Sequence, residues 1–284
     1  NILIEFEKTI SSYPNLLGFN STRFDESFLI ERYKLYNLDT TIKSKNHKDI
    51  YLSTTKAKCI LNLKNYKQKT IENFLGIYRD DKYDGGQLIP VYNDFSETNN
   101  LDSKELVLLH NMEDVKGMCD IIDILCYSEL LNCDLTINLI DIENDSLQII
   151  CSLPFSVPCS INKLRDYGMY IITQNILKLT MPFTIATLNT YLEDFKNYYY
   201  LLNEDIIIPK TIGQSIPKEN KRNATKRECC VSKEGNFINI PEKLNLQKST
   251  RIFTEDLTSK KHYMLPEDIN ESIALSIIQY MIKH

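Results

Sequence analysis

The sequence predicts an α/β domain followed by a β-rich domain that ends in a helix, and three observations carry that prediction. Leu16-Leu17-Gly18-Phe19 is a short apolar run between turn-formers, and Phe24 to Tyr36 behind it shows helical periodicity through Phe28, Leu29, Arg32 and Leu35. A long helical pattern runs from about Ser103 to about Leu130. Beyond Asn132 the apolar spacing changes from helical to alternating, which sets a boundary between 1–132 and 133–284. With 284 residues the chain can bury a core in each part.

Taken in order, Ile2, Leu3, Phe6 and Ile10 recur at helical spacing up to a stop at Ser11-Ser12-Tyr13-Pro14. The chain starts without Met and inside this helix, so a preceding segment is expected. The strand Leu16–Phe19, its turn and the helix from Phe24 follow. Lys48 to Leu52 suits a strand or a helix start, and an amphipathic helix falls at Thr70 to Leu75. Asp84-Gly85-Gly86 reads as a loop. Ser103 is a good N-cap for the long helix, whose buried face is expected from Leu106, Leu109, Val115, Met118, Ile122 and Leu125. Strands are expected at 135–140, 147–153, 169–173 and 176–181. Their turns fall at Glu143-Asn144-Asp145-Ser146 and Gln174-Asn175, and Pro154, Pro158 and Pro182 act as boundaries. A last helix runs from about Glu267 to Ile282 behind Pro266.

The apolar fraction of 43% and charged fraction of 25% are those of an ordinary globular chain, which excludes disorder as a reading. Net charge is only −5, so any surface for nucleic acid must be local. The eight cysteines show no CxxC pair or zinc spacing and read as reduced thiols of a cytoplasmic protein. No apolar run is long enough to span a bilayer, so no membrane partner is expected.

Two segments bring chemistry. Asp25 lies past a strand's carboxyl end at a helix start, where open α/β sheets bind ligands; the competing reading is that it caps the helix while Asn20 closes a turn. His110 and Asp114, four apart on the long helix, project from one face, and Gly117 one turn on would admit close approach of a backbone or substrate. Val107 and Ile121 in the same stripe argue for partial burial rather than a solvated pair. The chemistry that suits converging carboxylates is phosphodiester hydrolysis by two metal ions roughly 3.5 to 4 Å apart, with Mg2+ or Mn2+ on oxygen ligands and a neutral His handling the water proton. Two carboxylates are fewer than that mechanism normally uses.

At these residues the chain resembles the DEDD exonuclease superfamily with its ribonuclease H-like fold, and within it the bacterial ribonuclease H-like exonuclease-type proteins. Gly18-Phe19-Asn20-Ser21-Thr22-Arg23-Phe24-Asp25 looks like the second exonuclease motif, and His47-Lys48-Asp49-Ile50 like the His-x-Asp block after it. Lys69 to Asp81, with Ile89-Pro90-Val91-Tyr92, resembles the connecting segment, and His110-Asn111-Met112-Glu113-Asp114 the third motif. The resemblance implies a mixed sheet flanked by helices, Asp25 and Asp114 as metal ligands and His110 as general base. It also implies substrate contacts at Asn20, Phe24 and Asn111, with Asp49 and His47 in support. The family's first motif, an Asp-x-Glu on the opening strand, does not occur before Asn20, and the expectation is that the opening strands precede Asn1. Asp141-Ile142-Glu143 has the required spacing but fits an exposed hairpin tip.

In the second half, Lys221, Arg222, Lys226 and Arg227 belong to a local basic run behind Tyr191, Tyr198, Tyr199 and Tyr200, a pairing that can hold single strands by stacking and phosphate contact. A solvated basic loop with tyrosines in a β core is the preferred competing account. His262 and His284 read as surface residues. The function expected is a metal-dependent 3′–5′ exonuclease acting on single strands or strand ends of RNA or DNA. The alternatives are an inactive ribonuclease H-like nucleic-acid-binding module or a structural, partner-binding protein.

Overall fold

The structure, a computed structural model, describes residues 2–80, 83, 85–244, 246–247 and 250–284. It divides into two compact units, the first formed by Asn1–Asp134, Leu153–Ile161 and Thr173–Asn175 and the second by the remainder.

The first unit is mostly helical. Helix α1 (Ile2–Ser11) leads to strand β1 (Asn15–Gly18), then α2 (Asp25–Leu35), β2 (Asn46–Asp49), α3 (Ile50–Lys56), α4 (Lys58–Leu61) and α5 (Gln68–Phe74). Its sheet among the described residues is one parallel pair, β1 beside β2, with Asn15 opposite Asn46 and Gly18 opposite Asp49. The resemblance implies a mixed sheet, but among the described residues the first unit holds only that parallel pair. Lys48 to Leu52 proves to be both of the elements it suits: β2 ends at Asp49, which caps α3 by accepting from the Leu52 amide at 3.2 Å. Leu3 and Ile10 of α1 pack with Tyr33 and Ile42, and Glu7 accepts from the Thr41 amide at 2.9 Å and the Thr40 hydroxyl at 2.8 Å.

Two expectations about the following helices are corrected. Gly85 and Gly86 open a helix, α6 (Gly85–Thr98), which carries Pro90 inside it; Asp84 lies outside the described residues. The long helix, α7, spans Leu101–Asp120 and stops there. A 3-10 turn over Ile122–Leu125 and a short helix α8 (Cys126–Glu129) cover the rest. Asn100, not Ser103, is the N-cap, accepting from the Asp102 amide at 3.0 Å. Ser103 is buried and donates to Asp94 at 2.6 Å. Val115 and Ile122, expected in the buried face, are exposed, while Ile121, Ile124 and Tyr127 are fully buried.

The second unit is built on a seven-stranded sheet in the order β12-β11-β7-β4-β3, with a β5–β6 hairpin joined through β6 to β7. Its strands are β3 (Thr136–Glu143), β4 (Ser146–Ser152), β5 (Ile161–Arg165), β6 (Gly168–Thr173), β7 (Ile176–Tyr191), β11 (Cys230–Ile240) and β12 (His262–Met264). The β3–β4 turn has Asn144 at φ 47° and Asp145 at φ 58°, the paired positive angles of a tight hairpin. Asp141 and Glu143 are exposed on that hairpin. Pro182 does not end its strand, since β7 continues to Tyr191 and pairs with β11 beyond the proline. Strand β8 (Tyr198–Leu201), β9 (Ile206–Pro209) and β10 (Lys221–Asn223) form a second antiparallel sheet, with one helical turn α9 (Lys210–Gly213) after β9.

The C-terminal helix starts later than expected. Pro266–Asp268 is a separate 3-10 turn, and α10 (Glu271–Lys283) begins behind Asn270, whose side chain accepts from the Ile273 amide at 3.0 Å. It buries Ile273, Ile277, Ile278, Met281 and Ile282. The sheet core gathers Leu188, Phe237, Phe253, Tyr263 and Leu265. Among the described residues no helix is long and apolar enough to cross a membrane.

Candidate functional site

The first segment of interest is the turn from β1 into α2. Gly18 is buried where Ser21 folds back over it, and Asn20 takes φ 55°, a left-handed angle that Asn tolerates better than most residues. Asp49 holds this turn closed. Its Oδ1 accepts from the Asn20 amide at 2.9 Å and its Oδ2 from the Thr22 amide at 3.2 Å, in addition to capping α3. With 6% exposure and three backbone donors, that carboxylate ties the ends of β1 and β2 together. His47 Nε2 donates to the Ile42 carbonyl at 2.8 Å, and its Nδ1 stands 3.3 Å from Glu26 on α2. Asp25 is exposed in the first turn of α2, where the helix dipole favours a carboxylate. Phe24 is exposed beside it, and Asn20 Oδ1 is buried with no hydrogen-bond partner among the described residues.

The second segment lies on α7. His110 Nε2 is 3.3 Å from Asp114 Oδ2, so the pair does share one face. Both are partly buried, the His110 side chain at 16% exposure and that of Asp114 at 43%, while Asn111 is exposed. Asp114 Oδ1 is held by Arg79 Nη1. The same guanidinium uses Nε and Nη2 on the two oxygens of Glu72 from α5, a forked ion pair almost wholly removed from water. Gln68 Nε2 completes the link, donating to Glu72 Oε1 at 3.1 Å and to the Asp114 carbonyl at 2.8 Å. Burial alone would lower the Arg79 pKa, but the bonds and charges of Glu72 and Asp114 outweigh it and raise it above the ordinary arginine value. What approaches Gly117 is therefore neither backbone nor substrate; the side chains of Glu72, Gln68 and Arg79 fill the space.

Arg79, Glu72, Gln68 and Glu26 escape sequence reasoning. Glu72 and Arg79 stand in the connecting segment, but only the long-range contact to Asp114 shows what they do.

The donor set does not make a two-metal site. Among the described residues no group of three or more His, Cys, Asp and Glu side chains is gathered to hold a metal ion. Asp25 is exposed, and both oxygens of Asp114 already face a partner.

The basic run of the second unit divides into cations committed to neighbours and cations at the surface. Lys221 Nζ donates to the Gly213 carbonyl at 2.6 Å and lies 4.7 Å from the Tyr199 ring centre. Arg222 lies 4.4 Å over Tyr200 and forms a forked pair with Glu228. Lys226 and Arg227 are exposed. His262 is half-buried in β12, and His284 stacks on Tyr280 at 4.2 Å.

A family model described as the RNase_H superfamily matches residues 1–126. No curated protein and no solved structure matches the chain. The matched stretch holds both segments described above, from Asn20 to Asp25 and from His110 to Asp114, together with the Glu72–Arg79 pair.

Proposed function

We propose that the first domain, 1–132, acts on nucleic acid as a ribonuclease H-like nuclease of the DEDD 3′–5′ exonuclease type, hydrolysing phosphodiester bonds in RNA or DNA. The observation that carries this reading is the His110–Asp114 pair on one face of α7, inside the stretch that the superfamily model matches. In this reading His110 takes the proton of the attacking water, and Asp114 keeps the imidazole oriented. Phe24 offers an exposed ring for base stacking, with Asn20 and Asn111 as polar contacts. Nucleases of this type use Mg2+ or Mn2+, but Asp25 and Asp114 are too few to form that site, and no step is assigned to an ion. The accessory domain, 133–284, contributes Lys226 and Arg227 to phosphate contact. Eight cysteines without a CxxC pair or zinc spacing support a reducing compartment such as the cytoplasm.

A second reading, binding without cleavage, is favoured by one observation: Arg79 already neutralises Asp114. Labelled single-stranded RNA and DNA, incubated with the full chain and Mn2+, separate the two. Cleavage that falls about 10²-fold in His110→Ala, and by no more than that in Asp114→Asn, supports the nuclease. Cleavage equal in all three proteins removes the proposed roles, and retention of the strand without cleavage establishes the second reading.

A further inference from the structure

We infer that Arg79 is the resident counter-ion of Asp114, holding with a guanidinium a carboxylate oxygen that a divalent cation would need. The inference deepens the reading that Asp114 is the carboxylate presented to nucleic acid, and rests on it. Arg79 is not a surface arginine that an incoming ion could push aside. Its side chain is 7% exposed and its partner Glu72 is 1% exposed, with Nε and Nη2 spent on the two Glu72 oxygens and Nη1 on Asp114 Oδ1. Were Arg79 to leave, Glu72 would be a buried carboxylate without a cation, which proteins avoid at high cost.

The surroundings are built for the same arrangement. Gln68 bridges Glu72 and the Asp114 carbonyl, fixing α5 against α7. Gly117 leaves the space into which the Glu72–Arg79 fork fits. The other oxygen of Asp114 faces His110 Nε2 at 3.3 Å, so neither oxygen points into open solvent alone. Two carboxylates share one guanidinium, and the phosphate of a strand laid across α7 would meet a carboxylate already neutralised from within.

Mn2+ titration of the full chain, followed by the electron spin resonance of the free ion, tests this without reference to cleavage. Four proteins are compared: wild type, Asp114→Asn, the neutral pair Glu72→Gln/Arg79→Gln, and that pair combined with Asp114→Asn. The pair removes both buried charges together, so neither is stranded. Expected is equal, weak Mn2+ binding by wild type and Asp114→Asn. The neutral pair gains affinity by about tenfold or more, and Asp114→Asn abolishes the gain. Tight binding by wild type that Asp114→Asn removes would overturn the inference, as would a natively folded neutral pair that gains nothing. If the pair fails to fold, the wild-type and Asp114→Asn comparison decides alone. A failure of the nuclease reading would show in the strand assay and leave these affinities as they are.

Discussion

Gly117 lies in the interior of α7, a position where replacing glycine by alanine ordinarily stabilises a helix by about 1 kcal/mol. Here a methyl group would overlap Glu72 Oε1 and press on Gln68 Nε2 at 2.9 Å and Arg79 Nη2 at 3.2 Å. A carboxylate at the end of a flexible side chain normally yields to such a contact. Glu72 cannot, because it is buried and gripped by Arg79 on both oxygens. Gly117→Ala is therefore expected to destabilise the protein, by up to about 2 kcal/mol once overpacking outweighs the helix gain. Thermal unfolding reads this directly, and a raised melting temperature would show that the fork is loosely held. Asp49 carries the same lesson about single residues. The resemblance gives it a supporting place at the site, and its oxygens are taken by the amides of Asn20, Thr22 and Leu52. Three backbone donors on one buried carboxylate close a turn.

Among elements, the β8–β9–β10 sheet shows how a basic run becomes structure. Arg222 on β10 stacks over Tyr200 on β8 and forks onto Glu228, which also accepts from the Thr225 amide at 2.9 Å. The Arg222 hydrogen bond, with Thr225 assisting, draws the Glu228 pKa from 4.5 down to about 2. A carboxylate whose folded pKa is depressed adds stability above its unfolded value, and that stability is lost as pH falls. The difference in unfolding midpoint between wild type and Glu228→Gln should accordingly be full above pH 4.5 and vanish towards pH 2. Water screens this half-exposed pair, so the difference is small; one that stayed constant across that range would exclude Glu228 as its source. Elements with local patterns were legible: α1, the β1–turn–α2 unit, and the β3–β4 hairpin all follow from apolar spacing and turn residues. Those whose signals conflict were not. Gly85, Gly86 and Pro90 concealed α6, and Pro182 concealed the length of β7, because both depend on tertiary packing to override weak local propensity. The His110–Asp114 pair was legible from its spacing of four. Arg79 was not, since its bond to Asp114 spans 35 residues and leaves no periodic trace.

For the whole molecule, a net charge of −5 supplies no long-range attraction to a nucleic acid, so any binding must come from cations that remain at the surface. Lys221, Arg222, Lys226 and Arg227, the cations of the basic run expected to meet substrate, divide in the structure. Lys221 is committed to the Gly213 and Gln214 carbonyls and Arg222 to Glu228 and Tyr200, whereas Lys226 and Arg227 are exposed. A cation that neutralises a phosphate releases a counterion, and each such contact on a single strand adds about 0.7 to the slope of log affinity against log salt. Under the proposed reading, Lys226→Ala/Arg227→Ala together should reduce that slope by roughly 1 to 1.5, with the melting temperature unchanged. Lys221→Ala and Arg222→Ala should behave in the opposite way, lowering stability because they remove contacts that bind β8, α9 and β10 into one sheet edge, while leaving the salt slope as it was. Filter binding of labelled single strands over a salt series, beside thermal unfolding of each variant, distinguishes the pairs. If Lys221→Ala flattened the slope at constant stability and Lys226→Ala/Arg227→Ala did nothing, the Lys221 contacts would be incidental and the surface that meets nucleic acid would be the one that carries Lys221 and the Tyr199 ring instead.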